Sequence, residues 1–451
     1  MSSYLSTEDS EYELVQLSKP PDVIRSCVNT CPQNRSKKRP FSLLEVEDLN
    51  IQQGLVIKDL LFVLLGYEGF YIRYSEKYNQ KSPQSLIRGP DFKTAKHLDI
   101  SIKSLTKKMV YFGKYYSGLS YFAQTYCRAH YGKVIQRFCL ELLQFLASYR
   151  QLVVRIEQEF KSSPTFNLTV LENFLSSEVM VQIGLFYEIS IQIDDISRQR
   201  QNLLVNDEQY FTNFIHNIQN DLKQTGRIDL ATDESSFNCC KGGLALQIVQ
   251  KLSKEYLGDH MCYTFLNELF DSISIDYVTM LNDWLKNGEI DDPFDEFFIK
   301  VNKIKQSEIF HPKTEKYWDE VYVTRTDGLV SQFVDSDIQH KVLSTGKFLN
   351  IFKVCTDISS FESLDESPIE PIGKLSSANL ELKVQEYYSR ANKYILNLFF
   401  HGYSFPETIH TLQKTLLLSD SSKIDNFITK SFSELRKNNH SVSTTKLSYL
   451  F

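Results

Sequence analysis

The chain has 451 residues, of which 42% are hydrophobic and 13% aromatic, with 31 Phe and 25 Tyr against 17 Gly and 12 Pro. This balance favours long buried helices over turn-rich β architecture, and the length predicts two to four packed units. The formal charge of −6 excludes a basic surface over the whole chain and argues against nucleic acid as the principal partner.

Cysteine and histidine spacing gives no sign of a metal centre. The eight cysteines form no Cys-x-x-Cys pair, and no two of the nine histidines have metal-ligand spacing on one helix face. Without a signal peptide, these thiols predict a reducing, intracellular compartment. The longest apolar run, Leu60 to Leu65, is far shorter than the ~20 residues of a membrane-spanning helix. We therefore expect no metal, no cofactor and no membrane partner.

The first residues of the chain, 1–50, are polar and show little apolar periodicity. They predict a flexible N-terminal arm with a short helix near Glu11 to Leu17. The basic run Arg35 to Arg39 is interpreted as a solvated charge cluster, with a localisation or contact patch as the alternative. The folded part is predicted to begin near Gln52.

The first two long elements are predicted to be helices. Residues 55–65 are nearly all apolar, which predicts a buried helix closed by Gly66. After a loop with Pro83 and Pro90, apolar residues three or four apart from Val134 to Phe160 predict a helix of seven turns that stops at Pro164.

The helical period then continues to the end of the chain. Thr169 and Glu172 have capping-box spacing before a second long rod that reaches Ile196. Further stripes run over residues 245–256, 265–273 and 380–400, and strand alternation is confined to residues 321–324. The fold class is therefore all-α, an elongated stack of successive helical bundles. Irregular residues 288–330 and a polar insert at 357–377 suggest a division into bundles 51–290 and 291–451.

Two stretches resemble catalytic motifs, and we interpret both as structural. Ser344-Thr345-Gly346-Lys347 looks like a phosphate loop, but Phe348 stands where a hydroxyl is required and the leading glycine is missing, so a turn between helices is predicted. Asp291-Asp292-Pro293-Phe294-Asp295 fits the Asp-Asp-x-x-Asp pattern of Mg-dependent prenyl-transferring enzymes. Because Pro293 disrupts a helix there, and Asp194-Asp195 lacks a third carboxylate, we predict solvated helix ends or caps.

A Tyr-rich stretch at residues 111–131 is interleaved with Lys108, Lys114, Arg128 and Lys133. Such a pattern is compatible with stacking on single-stranded nucleic acid. Packing between helices, or a protein interface rich in Tyr and Arg, is the favoured interpretation.

Four stretches in order resemble the gamma-tubulin complex proteins. Residues 56–72 are similar to the family's opening motif, residues 283–298 to its Trp-Leu, Gly, Asp-Pro, Glu-Phe-Phe signature, and residues 316–319 and 343–350 to the component-2 branch. The residues that carry the resemblance are Lys58, Asp59, Leu60, Gly66, Gly69, Trp284, Gly288, Asp292, Pro293, Phe294, Phe297, Trp318, Gly346 and Lys347.

The resemblance implies a structural subunit with no catalytic residue. It also implies that Pro293 forms a turn after a helix, with Phe294 and Phe297 anchoring the turn to a helical core. It implies a first Grip region that lines up beside a sister subunit of the component-3 type, in a complex that nucleates microtubules at the spindle pole or microtubule-organising centre. Contact with gamma-tubulin is expected through a C-terminal region beyond these residues, and recruitment through a spindle-pole receptor protein. A rod-like vesicle-tethering subunit and the prenyl-transferring enzyme are the alternatives, and neither accounts for all four stretches.

Overall fold

The computed structural model describes residues 48–175, 177–205, 239–302, 315–325, 327–356, 369–415, 421–438 and 441–450. These described residues are 72% helical, with a few short strands and no closed sheet among them. The predicted all-α class is confirmed. The predicted helix near Glu11 and the basic run at Arg35 lie outside the described residues.

The described part opens with a helix and a small hairpin, composed of α1 (Leu49–Val63), β1 (Ile72–Tyr74), α2 (Pro83–Arg88) and β2 (Phe92–Thr94). Helix α1 starts earlier than predicted, because the Asp48 carboxylate accepts the N–H of Asn50 and caps it. The two strands pair antiparallel, with Ile72 opposite Thr94. The predicted loop around Pro83 therefore contains a short helix, which Pro83 begins at its first turn.

Four helices follow, which are α3 (Ile100–Tyr126), α4 (Lys133–Ser162), α5 (Leu168–Phe174) and α6 (Ser177–Val205). The predicted long helix is confirmed as α4, which ends at Ser162 before Pro164. The predicted capping box is wrong. Asn167 is the N-cap of α5 and Thr169 lies inside that helix, so the predicted second rod is split into α5 and α6.

The remaining elements are α7 (Gly243–Glu255), α8 (His260–Ile273), α9 (Ile275–Asn287), β3 (Ile299–Val301), α10 (Glu315–Val321), β4 (Tyr322–Thr324), α11 (Ser336–Thr356), α12 (Leu380–Asn397), α13 (Phe405–Thr415), α14 (Ser421–Leu435) and α15 (Thr444–Leu450). Strand β4 was predicted and pairs antiparallel with β3. The other strands have three residues each, too few to show an alternating pattern. The predicted late helix is α12, which continues as a π-helix over Leu398–Gly402.

One large hydrophobic core connects most of these elements. It extends from Val56 on α1 to Tyr387 on α12, and a smaller cluster joins Leu349 and Phe352 to Ala391. The division into bundles at residue 290 and the elongated shape stay predictions.

Within the described residues, no single helix has the length and apolar composition needed to cross a membrane. A bent pair formed by α5 and most of α6 passes that test together, by length and composition alone.

Candidate functional site

The indole of Trp284 is fully buried between α9 and α11. Its Nε1 donates a hydrogen bond to the carbonyl of Val342 at 2.8 Å. Gly346, one turn further along α11, lies against the flat side of the ring, and a Cβ at this position would overlap the indole. Glycine is therefore the residue that lets α11 approach α9 this closely.

Gly288 ends helix α9 in the left-handed conformation, with φ of 68°. Its N–H donates to the carbonyl of Trp284 at 2.9 Å, and its own carbonyl accepts from Nδ2 of Asn350 at 2.7 Å. The same Nδ2 lies 3.0 Å from the carbonyl of Gly346 and 3.2 Å from the hydroxyl of Tyr322. Asn350 thus connects the end of α9 to α11 and β4.

The stretch at residues 316–319 reaches the same place. Trp318 stacks on Tyr322 with ring planes 4° apart, and Tyr322 packs against Trp284 at 4.9 Å between ring centres. The Asp319 carboxylate pairs with Nζ of Lys347 at 2.7 Å. Three stretches that are well separated in sequence therefore meet in one cluster, which we call the tryptophan junction and define by Trp284, Gly288, Trp318, Tyr322, Gly346 and Asn350.

The phosphate-loop resemblance at residues 344–347 is explained by this packing. The predicted turn is wrong, since these residues lie inside α11, where Thr345 is fully buried and its hydroxyl donates to the carbonyl of Lys341 at 2.6 Å. In the middle of a helix the backbone N–H groups are used by the helix itself and are not available to a phosphate.

The opening stretch forms a separate buried site around Asp59. Oδ2 of Asp59 accepts the N–H of Tyr71 at 2.5 Å and that of Ile72 at 3.3 Å, so the carboxylate fixes the start of β1. A Cβ on Gly69 would lie 2.5 Å from the carboxylate carbon. Burial raises the pKa of Asp59, and the N–H donors oppose that rise. Asp59 and Gly69 thus act together to turn the chain.

The other residues of the opening stretch have distinct positions. Leu60 is fully buried in the core and Lys58 is exposed. Gly66 has φ of 81°, and its carbonyl accepts the hydroxyl of Tyr74 at 2.7 Å.

The Asp291 to Asp295 segment is a turn, as predicted. Oδ2 of Asp292 accepts the N–H of Phe297 at 2.7 Å, Pro293 and Phe294 occupy the turn, and Asp295 pairs with Arg325 at 2.6 Å. Phe297 is fully buried and anchors the turn, whereas Phe294 is half-buried. The part of the chain that the structure describes contains no group of three or more His, Cys, Asp or Glu side chains arranged to hold a metal ion.

Residues 57–401 match the sequence profile of the gamma tubulin complex component N-terminal family. This match covers most of the chain and includes all the residues of the tryptophan junction and of the Asp59 site. The chain belongs to the gamma-tubulin complex component family.

Several relatives in the family match along nearly the whole chain. The spindle pole body component SPC97 of Saccharomyces cerevisiae is 32% identical over 95% of this chain and 54% of its own length. The spindle pole body component alp4 of Schizosaccharomyces pombe is 26% identical over 89% of this chain and 52% of its own. Gamma-tubulin complex component 2 of Mus musculus is 22% identical over 88% of this chain and 38% of its own.

These relatives identify the family branch as component 2, in agreement with the resemblance. The chain spans about half the length of the curated fungal relatives it matches. The vesicle-tethering and prenyl-transferring alternatives find no support in these matches.

Sequence reasoning missed Glu296, the buried acid of the family signature. Its Oε2 accepts the N–H of Lys133 at 2.7 Å and its Oε1 that of Val134 at 3.1 Å, so it caps helix α4 from a distant part of the chain. A Cβ on Gly132 would lie 2.5 Å from its carboxylate carbon. Burial is the main cause that raises the pKa of Glu296 to about 7. The sequence contains one hint of this role. Gly132 directly precedes α4 and has no side chain that could cap the helix, so a cap must come from elsewhere.

Asp194 corrects a prediction about the second acidic pair. It is buried in the middle of α6, where it accepts from the hydroxyl of Tyr126 at 2.9 Å and pairs with Arg198 at 2.6 Å. Asp194 is therefore a core residue and no solvated helix end. Tyr126 comes from the Tyr-rich stretch, and Tyr115 of the same stretch packs on Tyr187 with 4.4 Å between ring centres. Packing between helices, one of the two favoured interpretations, accounts for both.

Proposed function

We propose that this chain is the first Grip region of a component-2 protein, and that it serves as a scaffold that associates laterally with a sister component of the component-3 type. The observation that supports the proposal is the family match over residues 57–401, to which the tryptophan junction adds a structural reason. The distinctive residues of the family signature hold helices together, so they fit a scaffold role.

The cellular role follows from the relatives. Because SPC97 and alp4 are spindle pole body components, we propose that the protein acts at the spindle pole body or another microtubule-organising centre, in the complex that nucleates microtubules. Contact with gamma-tubulin is assigned to a region that follows the first Grip region in the longer proteins, and a spindle-pole receptor would recruit the assembly.

Co-sedimentation of the chain with each partner separately tests this proposal. We expect binding to the first Grip region of a component-3 protein at micromolar concentrations, since single contacts within a larger ring gain strength from multivalency. A lateral helical surface supplies a standard contact of roughly 1,600 Å² without a catalytic group. Binding to gamma-tubulin alone, with none to the sister component, would overturn the assignment.

A further inference from the structure

Helix α3 is basic on one face although the whole chain is acidic. Its 27 residues include Lys103, Lys107, Lys108 and Lys114 and no Asp or Glu. Lys103, Lys107, Tyr111 and Lys114 follow each other at spacings of four, four and three residues, which places them on one side of the helix. A single-sign face of this kind attracts an oppositely charged ligand.

This face borders a groove of about 520 Å³ between α3 and β2. We call it the basic groove and define it by Phe92, Lys93, Lys107, Tyr111 and Lys114. Tyr111 is 51% exposed and Phe92 is half-buried, so the groove offers aromatic surface beside its lysines. Its chemistry fits an acidic peptide that carries an aromatic side chain.

The charge of the groove is partly uncompensated. Asp91 lies 2.8 Å from Lys114 and Glu76 lies 3.7 Å from Lys93, and each reduces the local charge. Lys107 lies in the groove and Lys103 lies one turn before it on the same face of α3, and neither forms an ion pair with any residue that the structure describes. These two lysines are the positions at which an acidic ligand gains most.

We propose that residues 8–13 of this same chain, Glu8-Asp9-Ser10-Glu11-Tyr12-Glu13, occupy the basic groove. The segment carries four carboxylates and one aromatic residue, and the first basic residue of the chain is Lys19. Charge complementarity supports this occupant, because the four carboxylates match the charges of Lys93, Lys103 and Lys107 and Tyr12 matches the aromatic surface of Tyr111.

The connection is long enough. Between Glu13 and Asp48 there are 34 residues, and a random coil of that length spans roughly 30 Å. Helix α1 begins at Leu49 and is about 22 Å long, and its last turn meets α3 where Val63 lies against Gly113. A tethered segment has an effective concentration on the order of millimolar, so weak ion pairs suffice to hold it.

Zero-length carbodiimide cross-linking of the full chain, with the products mapped by mass spectrometry, tests the proposal. It joins carboxylates to lysine amines that are in contact. We expect cross-links from residues 8–13 to Lys93, Lys103 or Lys107 that do not depend on protein concentration and disappear in high salt. The double variant K103E/K107E removes two of these amines, so the remaining cross-links to Lys93 are the measure, and they should fall about tenfold, the equivalent of several surface ion pairs.

Two further variants make the result decisive. K251E/K254E changes two exposed lysines on α7 in the same way and should leave the cross-links unchanged. The variant E11K/E13K reverses two charges of the segment. Combined with K103E/K107E, it should restore cross-links between residues 8–13 and the positions 103 and 107. Cross-links that fall equally on Lys251 and Lys254 would overturn the proposal, and so would cross-links that grow with protein concentration, which would indicate a second copy.

Discussion

Gly346 of α11 lies directly against the indole of Trp284 of α9, with no space for a single additional carbon atom between them. The contact explains why a glycine stands in the middle of a long helix, where it costs up to about 1 kcal/mol relative to alanine. The close approach of α11 also allows Nε1 of Trp284 to donate a hydrogen bond to the carbonyl of Val342.

Substitution of Gly346 by alanine should destabilise the protein. The added methyl group overlaps the indole and forces α9 and α11 apart, which costs about 1–3 kcal/mol. Urea unfolding measures the change. Gly184→Ala on α6 is the matched control, since nothing lies within 4 Å of its Cβ position and the helix should gain stability. A Gly346→Ala protein as stable as the control would contradict the packing described for the tryptophan junction.

Asp59→Ala should cost about 2–4 kcal/mol, because it leaves the N–H groups of Tyr71 and Ile72 without their acceptor. Asp59→Asn retains one acceptor oxygen and should cost less. Lys58→Ala, on the exposed neighbour, should change the free energy of unfolding by less than about 0.5 kcal/mol. Equal effects of Asp59→Ala and Lys58→Ala in thermal unfolding would show that the carboxylate does not fix the start of β1.

The stability of the protein should depend on the protonation of Glu296. The pKa of this acid rises from 4.5 to about 7 in the fold, so its contribution to stability is fully present below pH 4.5 and is lost as the pH rises to 7. Over that range the wild-type protein should lose up to about 3 kcal/mol relative to Glu296→Gln.

Denaturant titrations of both proteins at pH 5, 6 and 7 measure this difference. Parallel stability curves for wild type and Glu296→Gln would show that the carboxyl titrates as it does in the unfolded chain.

Magnesium should not stabilise the turn at residues 291–295. Asp292 is engaged by the N–H of Phe297 and Asp295 by Arg325, so the carboxylates have structural partners. The melting temperature should be the same with and without Mg²⁺, both for wild type and for Asp291→Asn/Asp295→Asn. A rise in the wild type alone would be the mass-action signature of a bound cation.

The sequence predicted the elements whose evidence is local. The apolar period of α4, the Asp-Pro turn and the strand β4 are examples, since each depends on residues close together in the chain. The capping box at Thr169 failed because Asn167 begins the helix two residues earlier. No side-chain hydrogen bond caps this end, and helix ends fray over one or two residues, so the spacing of polar residues alone does not fix such a boundary.

The sites could not be assembled from the sequence, because tertiary packing brings their parts together. Asn350 and Gly288 meet across α9, β4 and α11, and Glu296 caps α4 across more than a hundred residues. The sequence Ser-Thr-Gly-Lys at residues 344–347 suggested a turn between helices. In the structure these residues lie inside α11, where Gly346 packs against Trp284. Asp194 looked solvated since its partner Tyr126 lies on another helix.

The most direct test of the scaffold assignment is sedimentation velocity of the chain titrated with the first Grip region of a component-3 protein, and separately with gamma-tubulin. Lys58→Ala serves as a folded control and Gly346→Ala as a variant with a loosened junction. We predict a faster-sedimenting complex with the component-3 region at micromolar concentrations and little change with gamma-tubulin. A complex with gamma-tubulin and none with the component-3 region would contradict the assignment.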